Sequence, residues 1–322
     1  MFQILANANF RIIPIRRVMM TISLVAILVG IASLVLHGGP NLGIDFKGGY
    51  KFIVEFEEPV DLGRVREAVF ALGFESARVS DFGAANEVII LLDPDAHLDE
   101  AVNSVATDED AGGDAIQIAV AEGIRQAFRD NAVVEISQEK VGPKIGGELR
   151  TQGLWAILYS LLGIVIYISW RFEFKFAIAA IVALVHDVLI TLGIFSLLGK
   201  EIDLTILGAL LTIVGYSLND TIVVFDRIRE NLRQRRRGDV YDEVVNTSVN
   251  QTLSRTIITS LTTLIVVLVL YFLGGAVIQD FAFALVVGVI VGTYSSIFIA
   301  SPILVEWQGA NQRRRNRRLA TT

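Results

Sequence analysis

Six runs of apolar residues, each about 17 to 25 residues long, constrain this 322-residue chain more than anything else in it. They lie at Val18–Leu36, Gly153–Ser169, Phe176–Leu198, Leu204–Phe225, Ile257–Leu273 and Phe281–Val305. Each is long enough to cross a hydrocarbon layer of about 30 Å as a helix. Hydrophobic residues make up 53% of the chain, above the roughly 45 to 50% usual for a soluble domain. The sequence therefore predicts a polytopic α-helical membrane protein. The first run follows Arg11, Arg16 and Arg17 like a signal peptide. It is longer than the roughly 7 to 15 apolar residues of such a peptide and lacks a small-residue cleavage pattern, so it reads as an uncleaved span.

The net charge of −6 conceals a division. Between His37 and Glu148 acids outnumber bases 22 to 9, whereas the rest of the chain has 12 acids and 19 bases. The acidic part is expected to be a separate solvated domain over 37–152. Within it Tyr50–Phe56, Ala77–Asp81, Val88–Leu92 and Ala132–Gln138 read as strands, with a turn at Gly83–Asn86. Asp61–Leu72 and Ile116–Phe128 carry helical spacing. The order βαββαβ predicts a ferredoxin-like α+β domain, two helices covering one face of an antiparallel sheet. The acidic stretch His97–Asp114, containing TDEDAGGD, is expected to be a mobile loop.

Charge also sets an orientation. With the N-terminus inside, 17 Lys and Arg flank the spans on the inner side, and the two short outer loops hold only Lys200. By the positive-inside rule residues 1–17, a loop at 226–256 and the basic tail 306–322 are expected to be cytoplasmic, and the acidic domain periplasmic. The runs RQRRRG and RRRNRR then need no nucleic acid to explain them. The sequon-like NTS and NQT at Asn246 and Asn250 fall on the same inner side and read as chance matches.

Polar residues inside apolar runs are expensive and by default functional candidates. Asn219 and Asp220 interrupt the fourth run, His186 and Asp187 the third, and Arg255 stands at the inner end of the fifth. Thr205, Gly208, Thr212, Gly215 and Asn219 form a small and polar stripe at spacings of 3 and 4; if it packs inward, Asp220 faces the bundle interior. Gly288, Gly292, Ser296 and Ala300 form a second small-residue face, on the last helix. Two readings of Asp220 and Arg255 follow, a fixed ion pair joining two helices or a carboxylate that takes up and releases protons. Desolvation disfavours a charged carboxyl and a nearby cation favours it, so a moving Arg255 would switch Asp220 between states.

Three motifs carry a family resemblance: GIDFKGG at Gly43–Gly49, VGPKIGGEL at Val141–Leu149, and SLNDTIVVFDRIREN with NQTLSRT at Asn250–Thr256. Together they resemble the SecD/SecF family, on its SecF side, over nearly the whole chain. The resemblance implies a proton-driven member of the resistance-nodulation-division superfamily that assists Sec-dependent protein export in the bacterial inner membrane. The implied partners are SecD, the SecYEG channel, YajC and YidC, the translocating preprotein, and SecA indirectly. Asp220 matches the family's proton-carrying acid and Arg255 its basic companion, with Asn219 and Asp187 as further candidates for the proton route. Gly43, Asp45, Gly48, Gly49, Gly142, Pro143, Asp226 and Arg227 are its motif and structural positions. Lys47 and Tyr50 stand where small or hydroxyl residues are more usual, and the His97–Asp114 loop is longer than typical. A small-molecule exporter of the same superfamily and a passive translocon scaffold are the rival readings. Exporters of that kind usually have twelve spans and two large outer domains.

No cofactor is expected. With no cysteine, and with His37, His97 and His186 scattered, neither a disulfide nor a metal cluster is predicted. P-loop, HExxH and GxSxG patterns do not occur, so the chain is not expected to be a hydrolase.

Overall fold

The computed structural model describes residues 8–93, 109–236 and 238–320. Among them the six expected spans are all helices, numbered here with the soluble elements in chain order. Helix α1 covers Arg16–Leu36. A one-turn helix α2, Ile44–Lys47, leads into strand β1, Gly49–Phe56, then α3, Leu62–Ala71, β2, Arg78–Phe82, and β3, Ala84–Leu92. Helix α4, Glu109–Ala127, and strand β4, Val133–Val141, complete the soluble domain.

The sheet is antiparallel in the order β2-β3-β1-β4, with the ferredoxin-like connectivity that βαββαβ predicts. On β1, Phe52, Val54 and Phe56 are buried while the alternate residues stay partly exposed, the period-2 pattern of a strand with one covered face. Val65 and Val69 of α3 and Ile116, Val120 and Ile124 of α4 cover that face. Asp61 caps α3 by accepting from the amide of Gly63 at 3.1 Å. The expected acidic loop falls partly outside the described residues; its end, 109–114, is helical and belongs to α4. Likewise the turn at 83–86 shrinks to Gly83, which adopts φ 85, and β3 starts directly after it.

The membrane helices outrun their apolar cores. Helix α5 is Pro143–Arg171, α6 Phe174–Leu197, α7 Leu204–Arg233 and α8 Tyr241–Leu273. The stretch 226–256, expected as a loop, is helical through Arg233 and again from Tyr241, because α7 and α8 continue past the apolar runs with charged residues of good helix propensity. The last span starts as α9, Ala276–Ser295, passes through a π-helical turn at Ser296–Ala300 and continues as α10, Ser301–Ala320.

Small residues set the closest approaches. A Cβ on Gly30 of α1 would lie 2.8 Å from the Cα of Gly193 on α6, so these two helices touch backbone to backbone. A Cβ on Gly292 would lie 3.0 Å from that of Ser217, and one on Gly288 would run into Ile213, so the small-residue face of the last span packs closely through these glycines, and its partner is α7. The stripe on α7 itself does not pack inward. Thr205, Gly208, Thr212, Gly215 and Asn219 are exposed, because Ile206, Ala209, Leu210, Ile213 and Val214 occupy the buried face beside them.

Candidate functional site

Among the described residues two carboxyls are buried in the helical bundle, and they are held very differently. Asp187, on α6, is 0% exposed and accepts from Ser217 of α7 at 2.5 Å and Ser295 of α9 at 2.8 Å. The Nδ1 of His186 stands 2.9 Å from its other oxygen, and that imidazole lies against the ring of Tyr294. Three elements therefore converge on one acid: two hydroxyls donate to one of its oxygens and the imidazole meets the other. Asp220, on α7, is 3% exposed. Ser260 of α8 donates to it at 3.2 Å and Thr259 lies at 3.5 Å. Thr259 has one hydroxyl proton and lies closer to the backbone carbonyls of Thr256, at 2.9 Å, and Arg255, at 3.0 Å. Asp220 is thus left with one firm donor, Ser260, whose own oxygen lies 2.7 Å from the hydroxyl of Thr293 on α9.

Arg255 makes no ion pair with Asp220 among the described residues, and its side chain is exposed. The fixed ion pair weighed from the sequence is therefore not formed, since the basic residue projects from a more exposed face of α8. Asn219 is also exposed, beside Asp220 but turned away from the bundle. The buried hydroxyls of Thr221 and Thr256 have no partner among the described residues.

The sequence motifs meet in two joints at opposite ends of α7. At the first, GIDFKGG packs on VGPKIGG. Gly48 and Gly49 have φ of 82 and 132, and a Cβ on Gly48 would lie 2.9 Å from the backbone of Pro143. A Cβ on Gly146 would lie 2.8 Å from the Gly48 nitrogen, so the glycines are there for closeness as well as conformation. Gly142 is the N-cap of α5 and Pro143 its first residue, where a missing N–H costs nothing. The amide of Gly43 donates to the carbonyl of Ile202 at 2.9 Å, and that of Ile202 to Asn41 at 2.7 Å. Asp45 accepts from the amide of Leu204, the first residue of α7, at 2.9 Å, next to the helix's own cap, Asp203. Arg78 of β2 pairs with Glu201. Burial pushes the carboxyl of Glu201 above the ordinary range while Arg78 pulls it back; burial does the same at Asp203, where the neighbouring Asp45 adds to the rise.

At the other end, Arg227 and Asn231 of α7 both donate to Gln251 of α8, at 2.7 and 2.8 Å, joining FDRIREN to NQTLSRT. Asp226 pairs with Arg229 at 3.0 Å and lies 3.7 Å from Arg171. Asn250 bonds both the amide and the carbonyl of Phe10, and Asn246 accepts from Ile13, so the sequon-like asparagines strap down the segment that enters α1. Sequence reasoning found the two acids and all three motifs. It missed Ser217, Ser295 and Ser260 as their partners, Thr293 behind Ser260, and Asp45 as a cap; helical spacing would have tied Ser217 to Asp220, three residues on, whereas it bonds Asp187 across the helices.

A family profile described as Protein export membrane protein SecD/SecF, C-terminal, matches residues 121–310, and the SecD/SecF GG motif matches 34–60, across the first joint. A protein translocase subunit SecF from Desulfurispirillum indicum is 47% identical over 304 residues, covering 93% of each chain. The chain belongs to the SecF family. The SecF of Escherichia coli O157:H7 is 41% identical over 278 residues, covering 86% of this chain and 82% of that one. Among solved structures, SecDF of Thermus thermophilus, described as a translocon-associated membrane protein, superposes with a TM-score of 0.79 at 36% identity. That match covers 96% of this chain and 40% of the SecDF chain, so SecF-family chains correspond to less than half of the longer polypeptide.

Proposed function

We propose that this chain is the SecF-type subunit of a Sec translocase accessory complex. With SecD, in the bacterial cytoplasmic membrane, it uses the proton motive force to promote preprotein translocation and its completion on the periplasmic side. The observation that carries this reading is the contrast between the two buried acids. Asp187 is saturated with donors and serves to hold three helices together, whereas Asp220 has one firm donor and no cation in contact, so gaining or losing a proton disturbs few bonds. A proton crossing a potential of 100 mV releases roughly 2.3 kcal/mol, enough to bias a conformational equilibrium.

Two features support the rest. The exposed stripe on α7, with Asn219 and the Arg255 side chain near it, is poorly suited to lipid and well suited to another membrane subunit, for which the SecDF structures nominate SecD. The excess of Lys and Arg at one side supports cytoplasmic termini and a periplasmic soluble domain. No hydrolytic step is assigned to the chain, which acts as a transport subunit.

The test is Asp220→Asn, which keeps the shape and removes the titration, in an export assay with and without an uncoupler. The expected result is loss of the uncoupler-sensitive part of the stimulation. Wild-type stimulation that remains fully gradient-sensitive in the variant would leave a passive scaffold as the better reading.

A further inference from the structure

Away from both acids, a cavity of about 290 Å³ lies where α5 turns into α6 beside the end of α7. Four cations border it, Arg171, Lys175, Arg229 and Arg233. Two acids are near: Glu173 pairs with Lys175 at 2.7 Å, and Asp226 is shared between Arg229 at 3.0 Å and Arg171 at 3.7 Å. Two positive charges remain unmatched, and among the described residues Arg233 has no carboxylate partner.

Two of the guanidiniums are also held in place. Those of Arg229 and Arg171 lie 4.8 and 5.2 Å from the centre of the buried Phe172 ring, and Arg229 donates to the Arg171 carbonyl at 2.9 Å. Phe172 in turn packs on Phe176 and Phe225. Long cationic side chains laid on an aromatic platform have already lost much of their rotamer freedom, which lowers the entropic cost of gripping an oxyanion. Their paired, planar donors suit phosphate oxygens.

Depth selects the source of that phosphate. About 20 residues of helix cross the hydrocarbon, so α7, entering at Leu204, leaves it near residue 224. At about 1.5 Å per residue, the backbone of Arg229 lies about 7 Å beyond that point, at the outer edge of the headgroup layer, and that of Arg233 about 13 Å, from where its long side chain can reach back to the headgroups. Trp170, 86% exposed, and the exposed Phe174 are the chain neighbours of the bordering residues Arg171 and Glu173, and aromatics of this kind favour the membrane interface. We infer that this cavity binds the phosphodiester headgroup of an anionic phospholipid, with Arg171 and Arg233 as its main contacts. The inference does not depend on the proton reading of Asp220.

The test is native mass spectrometry of the full chain, purified with the partner subunit that accompanies it, in the presence of equal phosphatidylglycerol and phosphatidylcholine of matched acyl chains. Wild-type protein is expected to retain one phosphatidylglycerol preferentially. Arg171→Gln and Arg233→Gln are each expected to lower that preference about fivefold, the effect of one basic residue near an anionic surface. Arg235→Gln with Arg236→Gln, on the adjoining turn, should leave it unchanged. Lys175→Gln provides a second variant if Arg171→Gln does not fold. Equal retention of the two lipids, or equal losses in the cavity and control variants, would overturn the site. Displacement of the lipid by millimolar inorganic phosphate would overturn the assignment to a lipid and leave a free anion as the occupant.

Discussion

Asp187 and Asp220 announce themselves in the sequence because an ionisable group inside an apolar run has few cheap explanations. Their hydroxyl partners do not, because serine and threonine in membrane helices commonly bond their own backbone, as Thr191, Thr212 and Thr262 do here. Which serines turn instead to a carboxylate is decided by helix packing. Removing Ser295 or Ser217 by alanine leaves a fully buried acid short of a donor and is expected to cost about 1 to 3 kcal/mol each, read as a lower unfolding midpoint, with gradient-sensitive export retained. Loss of gradient sensitivity at unchanged stability would show that Asp187 does more than clamp. At the first joint the raised carboxyl of Asp203 gives a pH signature. A folded-state value above the unfolded one makes a contribution to stability that is complete below the ordinary carboxylate range and lost as pH rises through the folded-state value. Asp203→Asn keeps the capping oxygen without the charge. Its unfolding midpoint relative to wild type should therefore rise between about pH 4 and pH 7, and an unchanged or falling difference would contradict the assignment.

At the scale of elements, the six spans were legible because membrane thickness fixes the length of an apolar helix. The extensions of α7 and α8 were not, since hydropathy falls silent once a helix leaves the bilayer and RRRG punctuates the stretch like a loop. The direction of the small-residue stripe stayed open in the sequence for a related reason: spacing identifies a face, but only the partners decide which face is buried. The crossing of α1 and α6 makes a sharper demand. Gly193→Ala, or Gly30→Ala, would force two backbones apart and is expected to cost about 1 to 3 kcal/mol, seen as reduced thermal stability of the solubilised protein. The cap that Asp45 places on α7 separates two roles for that residue. Asp45→Ala should lose about 1 kcal/mol and weaken export stimulation, whereas Asp45→Asn, which keeps an acceptor, should retain both; failure of the asparagine variant would point to a need for charge instead.

For the molecule as a whole, the ferredoxin-like domain was readable from alternating periodicities, and the sheet order follows that plan. How the domain is seated was only partly readable: the glycine motifs show in the sequence, but the backbone contacts between Asn41–Gly43 and Ile202 leave no residue signature, and nothing local pairs Arg78 with Glu201 or Asp45 with the start of α7. Deleting residues 50–138 is expected to leave the helical bundle assembled, by size-exclusion profile, while abolishing stimulation of export; full stimulation without the domain would remove it from the mechanism. The 30 residues of α7 form one unbroken helix about 45 Å long, clasped at one end by Asp45 and at the other by Gln251. A rigid rod held at both tips cannot absorb a disturbance near its middle. On the proposed reading, a tilt started by a change of charge at Asp220 would emerge at both ends of the helix at once, so the two faces of the bundle would be set in step without a messenger travelling between them.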